Sequence, residues 1–171
     1  MSIRVLGLDP GTAIVGFGLV IFDGQSYQPE KYGVIRTPSK TPLPHRLLMI
    51  HEQLDELIEE LKPEHVAVEE VFFARATTTA LAVGHARGVI LLTAAEHNLP
   101  IFEYTPLQVK QAIIGYGGAE KKQIQQFIKN LLRLESIPKP DDAADALAIA
   151  ICHCNNYRLQ SLIRPQGVVS D

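Results

Sequence analysis

Pro140–Ala150, PDDAADALAIA, reads as the opening of a buried helix. Pro and Asp favour a first helical turn, and Ala, Leu and Ile carry the helix on. From Ala143 to Cys152 the only charged residue is Asp145, so the helix is apolar nearly all round and belongs inside the fold. Asp142 and Asp145 are three apart and share one face, which continues through Ile149 and Cys152. Two carboxylates on the inward side of a buried helix cost free energy unless something positive meets them, and a divalent metal is the obvious partner. Capping is the competing explanation, because Asp at a helix N-terminus satisfies free N–H groups and suits the dipole, for about 1 kcal/mol each. Asp141 can cap alone, as N-cap or just before it. The decision rests on whether the chain brings more carboxylates to the same spot.

It does. Ile3–Asp9 is a short apolar run that ends in an acid before a Pro-Gly turn, the pattern of a buried strand with Asp9 at its carboxyl end. Val15–Phe22 and Tyr27–Thr37 read as two further strands joined by the Asp23-Gly24 hairpin signal, with Pro29 pushing the third towards a sheet edge. After a loop, a helix runs to Lys62 with Leu47, Ile50, Leu54, Leu57, Ile58 and Leu61 as its apolar stripe. His65–Glu70 is the fourth strand, ending in two acids, and 72–78 is the loop after it. Thr79–Asn98 is a long helix in which Gly84 and Gly88 leave a smooth face for a close backbone approach. Pro100–Tyr104 is the fifth strand. Thr105-Pro106 starts a short helix ending by Gly115, Ala119–Leu134 is another, and the Asp142 helix ends near Tyr157.

This order, βββαβαβ and then helices, predicts an α/β fold: a mixed five-stranded sheet with helices on both faces. Sites in open α/β sheets form beyond the carboxyl ends of parallel strands, where Asp9 and Glu69 or Glu70 stand. The N-terminus of the Asp142 helix can close over the same edge. Four carboxylates gathered there repel one another unless hard cations with oxygen ligands sit between them.

The chain's 171 residues suffice for one domain burying roughly 70% of its unfolded surface. Residues 1–158 are expected to form it, with 159–171 a flexible tail. No apolar run reaches the ~18 residues of a membrane span and the N-terminus opens directly as a strand, so a cytoplasmic protein without membrane contact is expected. Cys152 and Cys154 point apart on a helix and read as buried thiols rather than zinc ligands. The net charge of −3 argues against a nonspecific DNA coat. Patterning is more informative: Gln108–Arg133 carries Lys110, Lys121, Lys122, Lys129 and Arg133 against the single acid Glu120. Such a run is either a phosphate-binding surface or a solvated pair of helices.

Four stretches, GLDPGTAIVGFG (7–18), VAVEEVF (66–72), QVKQAIIGYGGAEK (108–121) and DDAADALAIAICHC (141–154), together resemble the RuvC Holliday junction resolvases in order and spacing. The resemblance implies a ribonuclease-H-like fold and a homodimer that nicks two strands of four-way junction DNA symmetrically with Mg²⁺. It also implies contact with the RuvAB branch-migration complex. It carries the family's metal-binding acids to Asp9, Glu69, Asp142 and Asp145, and its basic residues near the scissile phosphate to Lys110 and Lys121. An aromatic that stacks on unpaired junction bases maps to Phe72, a contact contributing roughly 1–3 kcal/mol per base, with Phe73 left to pack as a core anchor. Parity favours Glu69 over Glu70 only weakly: Gly7 and Ala67 precede Asp9 and Glu69 by two, leaving room on one face. Asp141 in place of Asp142 would keep an i,i+4 spacing to Asp145, so both stay open.

The expected chemistry is phosphodiester hydrolysis with two Mg²⁺ per site, Mn²⁺ being a candidate substitute. In it Lys121 stabilises charge on the phosphate or orients the water, while Lys110 holds the backbone. Lys122, in the basic run, and Arg75 and Thr77–Thr79, at the loop and helix start, are candidate DNA contacts, or capping and surface residues. Two symmetric cuts call for a two-fold dimer, and the Gly84/Gly88 face is the candidate contact. Two rivals remain. An ATP-dependent phosphotransferase would share the Asp9-Pro10-Gly11-Thr12 turn but needs a second such domain. A non-cleaving junction-binding module would have no use for the acids.

Overall fold

The computed structural model describes residues 2–70, 78–115 and 117–163. Strands β1 (Ile3–Asp9), β2 (Ile14–Phe22), β3 (Tyr27–Arg36), β4 (His65–Glu69) and β5 (Ile101–Tyr104) form one sheet in the order β3-β2-β1-β4-β5. The meander β1-β2-β3 is antiparallel, whereas β4 runs parallel to both β1 and β5, so the sheet is mixed. Pro29 lies on the edge strand β3, opposite Val20, where the register shifts. Edge placement tolerates its missing N–H. The hairpin before it is tied by Asp23, whose carboxylate accepts from the Gln25 and Ser26 N–H groups, with Gly24 at φ 95°.

Among the described residues, five helices cover the two faces. On one lie α1 (Leu43–Leu61) and α2 (Thr78–Glu96). They pack Ile50, Leu54, Ile58 and Ile90 against Leu6, Leu8, Leu19, Val66 and Val68. On the other lie α3 (Pro106–Ile114), α4 (Lys121–Leu131) and α5 (Asp141–Ile163), packed over Val5, Val20, Phe22 and Ala67. The expected apolar helix is α5, whose Ala143, Ala144, Ala146, Leu147, Ala148, Ile149, Ala150, Ile151 and Cys152 are all buried. Its small residues let it settle directly on strand glycines. A methyl group at Gly7 would collide with the Ala146 carbonyl oxygen, and one at Gly18 would press on the Leu147 side chain.

Three expectations need correction. The final helix does not stop near Tyr157 but runs to Ile163, because no Gly or Pro interrupts it before Pro165. The α4 helix is shorter than Ala119–Leu134: Glu120 is its N-cap, its N–H donating to the Gln123 side chain, and Arg133 turns out of the helix at φ 53°. Asp141 is not a residue outside the helix but the first residue in it, while the Pro140 carbonyl accepts from Ala143 N–H. Both cysteines are free, buried thiols, as expected. No described helix is long and apolar enough to cross a membrane.

Candidate active site

Two parallel strands deliver the first two acids. Leu8 pairs with Val68, so Asp9 and Glu69, the next residue in each strand, leave the sheet side by side. Strand alternation puts Asp9 on the face of Gly7, which is the α5 face. Ala67, the partner of Gly7, packs in the same core, so Glu69 shares that face and Glu70 follows Val68 towards the opposite one.

The neighbouring strand seats the helix that carries the other two. Gly16 is the β2 partner of Asp9, and a methyl group there would collide with the Asp142 carbonyl oxygen and lie 3.2 Å from its Cβ. Asp142 is thereby held over Asp9, and Asp145 follows one turn on. Asp9, Glu69, Asp142 and Asp145 are all half-buried.

Their electrostatics report the crowding. Burial first, then the charges of Asp145, Glu69 and Asp142, push the Asp9 carboxyl up to about 8 from 3.8, against a partial pull down by Lys121. Glu69 is raised by burial and by Asp145, and lowered by Lys121 and Lys110. Asp145 is raised chiefly by burial despite its bond to Lys121. Asp141 stands at the rim of the cluster: its Oδ2 lies 3.5 Å from Lys121 Nζ, which also donates to Asp145 Oδ2 at 3.0 Å, and its charge helps to raise Asp145.

Lys110, from α3, lines a small pocket of about 70 Å³ together with Glu69, Asp145, Val109 and Ile124. Lys122 turns away onto the outer side of α4, beside Ile114, Gln126 and Phe127. The basic run of 108–133 is therefore divided between the acids and solvent. Phe72, Phe73, Arg75 and Thr77 lie outside the described residues, as do the side chains of Thr78 and Thr79.

Among the described residues, no three His, Cys, Asp or Glu side chains are drawn tightly enough to hold one ion as they stand. The donor set nonetheless suits hard divalent cations: oxygen ligands only, half-buried, and so placed that burial and then neighbouring carboxylates drive one carboxyl up to about 8.

Against known proteins, a family model described as Crossover junction endodeoxyribonuclease RuvC matches residues 5–153. The chain belongs to the RuvC family. The RuvC of Desulfitobacterium hafniense is 59% identical over 155 residues, spanning 91% of this chain and 94% of that protein. That of Alkaliphilus metalliredigens is 57% identical over 160 residues, 94% and 98% of the respective chains. Among solved structures, Thermus thermophilus RuvC in complex with a Holliday junction substrate superposes with a TM-score of 0.88 at 37% identity, covering 93% of this chain and 97% of that one. The ribonuclease-H-like resolvase fold and the nuclease class expected from sequence both hold for this RuvC chain.

Two features escaped the sequence reading. Gly16 was not singled out as the seat of Asp142, although its two-residue spacing from Gly18 on one strand face was visible. The second partner of Lys121, Asp141, was expected as a cap or an alternative metal ligand, not as a partner of the lysine. Its signal was the i,i+4 spacing to Asp145, which puts both carboxylates within reach of one ammonium.

Proposed function

We propose that this chain is a homodimeric resolvase that cuts four-way DNA junctions by two symmetric, Mg²⁺-dependent nicks in cytoplasmic recombination and repair. The observation that carries the reading is the convergence of Asp9, Glu69 and Asp142–Asp145 from β1, β4 and α5 at one sheet edge. In this reading those four carboxylates hold two Mg²⁺ per site. Such ions supply a water acidic enough to attack at neutral pH and a charge to meet the leaving oxygen. Lys121 donates to a phosphate oxygen as negative charge grows there, and Lys110 fixes the strand against Glu69. The P–O3′ bond breaks, leaving a 3′-hydroxyl and a 5′-phosphate. Phe72 stacks on an unpaired base, and Arg75 and Lys122 contact backbone phosphates.

The dimer is supported by α2. Leu81 and Leu92 are 63% and 58% exposed, and His85, Gly88 and Ala95 are exposed with them. The spacing 81, 85, 88, 92, 95 is a single helix face, apolar but for His85, and heptad-like in its repeat. Among the described residues a methyl group at Gly88 would meet nothing within 4 Å, so close packing among them does not explain that glycine. Handover from the RuvAB branch-migration complex belongs to the same reading.

The test is incubation with synthetic four-way and linear duplex DNA, with Mg²⁺ or with EDTA. Paired nicks in the junction with Mg²⁺ alone are expected, with Mn²⁺ run in parallel. Cutting that persists in EDTA, or full activity in Asp142→Asn, overturns the proposal.

A further inference from the structure

Lys121 is the only cation placed against two carboxylates of α5 in the described structure, and the two are unlike. Asp145 Oδ2 lies 3.0 Å from Nζ, and Asp141 Oδ2 lies 3.5 Å from it. Asp145 acts directly on Asp9 and Glu69, whereas Asp141, at the start of α5, acts on Asp145 and Lys121. The Lys121 side chain is 54% exposed, so burial does not fix its head group; only these two bonds do. A lysine has three donors on a flexible four-carbon stem, and one lost partner frees it to swing.

We infer that Asp141 is a positioning residue for Lys121, retaining its ammonium at the rim of the acid cluster when Asp145 turns its oxygens to a divalent ion. This rests on the proposed nuclease site. A cation bound by Asp145 competes for the oxygens that Lys121 holds and repels the ammonium. Asp141, one turn earlier on the same face, is the remaining anion in reach, and it keeps Lys121 beside the phosphate path rather than in solvent. An acid in the first helical turn also suits the helix dipole, but that role needs no lysine.

The experiment compares Asp141→Asn, Asp141→Glu, Lys121→Ala and the double variant Asp141→Asn/Lys121→Ala on a synthetic four-way junction. In Asp141→Asn, kcat falls about 3–10-fold with KM and junction binding unchanged, since an exposed ion pair positions rather than binds. Asp141→Glu recovers most of the loss, and in the Lys121→Ala background Asp141→Asn costs nothing more. In EDTA, without any turnover, the Lys121 side-chain resonances shift in Asp141→Asn. Wild-type kcat in Asp141→Asn, an equal loss in the Lys121→Ala background, or unmoved Lys121 resonances would each overturn the inference. Failure of the nuclease reading is distinct: the unmodified protein itself would not cut with Mg²⁺, or Asp142→Asn would.

Discussion

Replacing Asp9 by Asn should stabilise the protein at neutral pH in EDTA while abolishing cutting. Asp9 is ionised in the unfolded chain above 3.8, but in the fold its carboxyl is held protonated up to about 8, by burial and then by Asp145, Glu69 and Asp142. A carboxyl whose folded value is raised contributes fully below its unfolded value, and that contribution is lost as pH rises through the folded one. At ~1.4 kcal/mol per pH unit, the penalty at pH 7 is on the order of 4 kcal/mol, and relaxation and solvent reduce it to roughly 2–4 kcal/mol. Asn keeps the shape and removes the charge. For a domain of this size the gain corresponds to a rise in Tm of about 5–15 °C. Urea or thermal unfolding in EDTA at pH 7 and pH 4 measures it, and the advantage should shrink towards pH 4. An Asn variant no more stable than the parent at pH 7, or a difference that does not change with pH, would refute the reasoning.

Gly16→Ala pushes a methyl group into the Asp142 backbone. It should cost about 1–3 kcal/mol in chemical denaturation and, by displacing Asp142 by an ångström, about 100-fold in nicking rate. Leu92→Glu puts a charge on the exposed α2 stripe. It should sediment as a monomer at micromolar concentration where the parent sediments as a dimer, with the fold's circular dichroism retained. His153 is buried between the Tyr104 hydroxyl, 2.7 Å from Nδ1, and His65 Nδ1, 2.8 Å from Nε2. Burial and then His65 lower it to about 4, so stability present above 6.5 should fall by roughly 2–3 kcal/mol as pH drops from 6.5 to 4. In His153→Phe that slope should flatten, even though the Tyr104 hydroxyl loses its partner at every pH.

Much of the fold was legible in local pattern. The apolar run ending at Asp9, the Asp23-Gly24 turn and the 3.6-residue stripe from Leu47 to Leu61 each depend on neighbours in the chain, and each appears where the pattern put it. The end of α5 was less legible, since no Gly or Pro marks a stop near Tyr157 and the helix runs on to Ile163. The exposed face of α2 was legible only through Gly88, and its apolar residues were not. With apolar residues nearly all round, its periodicity carries no direction, and only packing on α1 and the sheet leaves Leu81 and Leu92 outside.

The sequence by itself determined which carboxylates were available, that Asp142 and Asp145 share a helix face, and that Asp9 and an acid of the fourth strand each end a strand; that the two strands are neighbours came from the sheet. Tertiary structure set which of two adjacent acids faces the cluster. Glu69 rather than Glu70 turns to α5 because β4 registers Ala67 against Gly7, and Asp142 rather than Asp141 meets Asp9 because Gly16 admits the helix backbone there. Neighbouring residues on a strand or helix differ only in direction. Direction acquires meaning when a segment far away in the chain packs against one side.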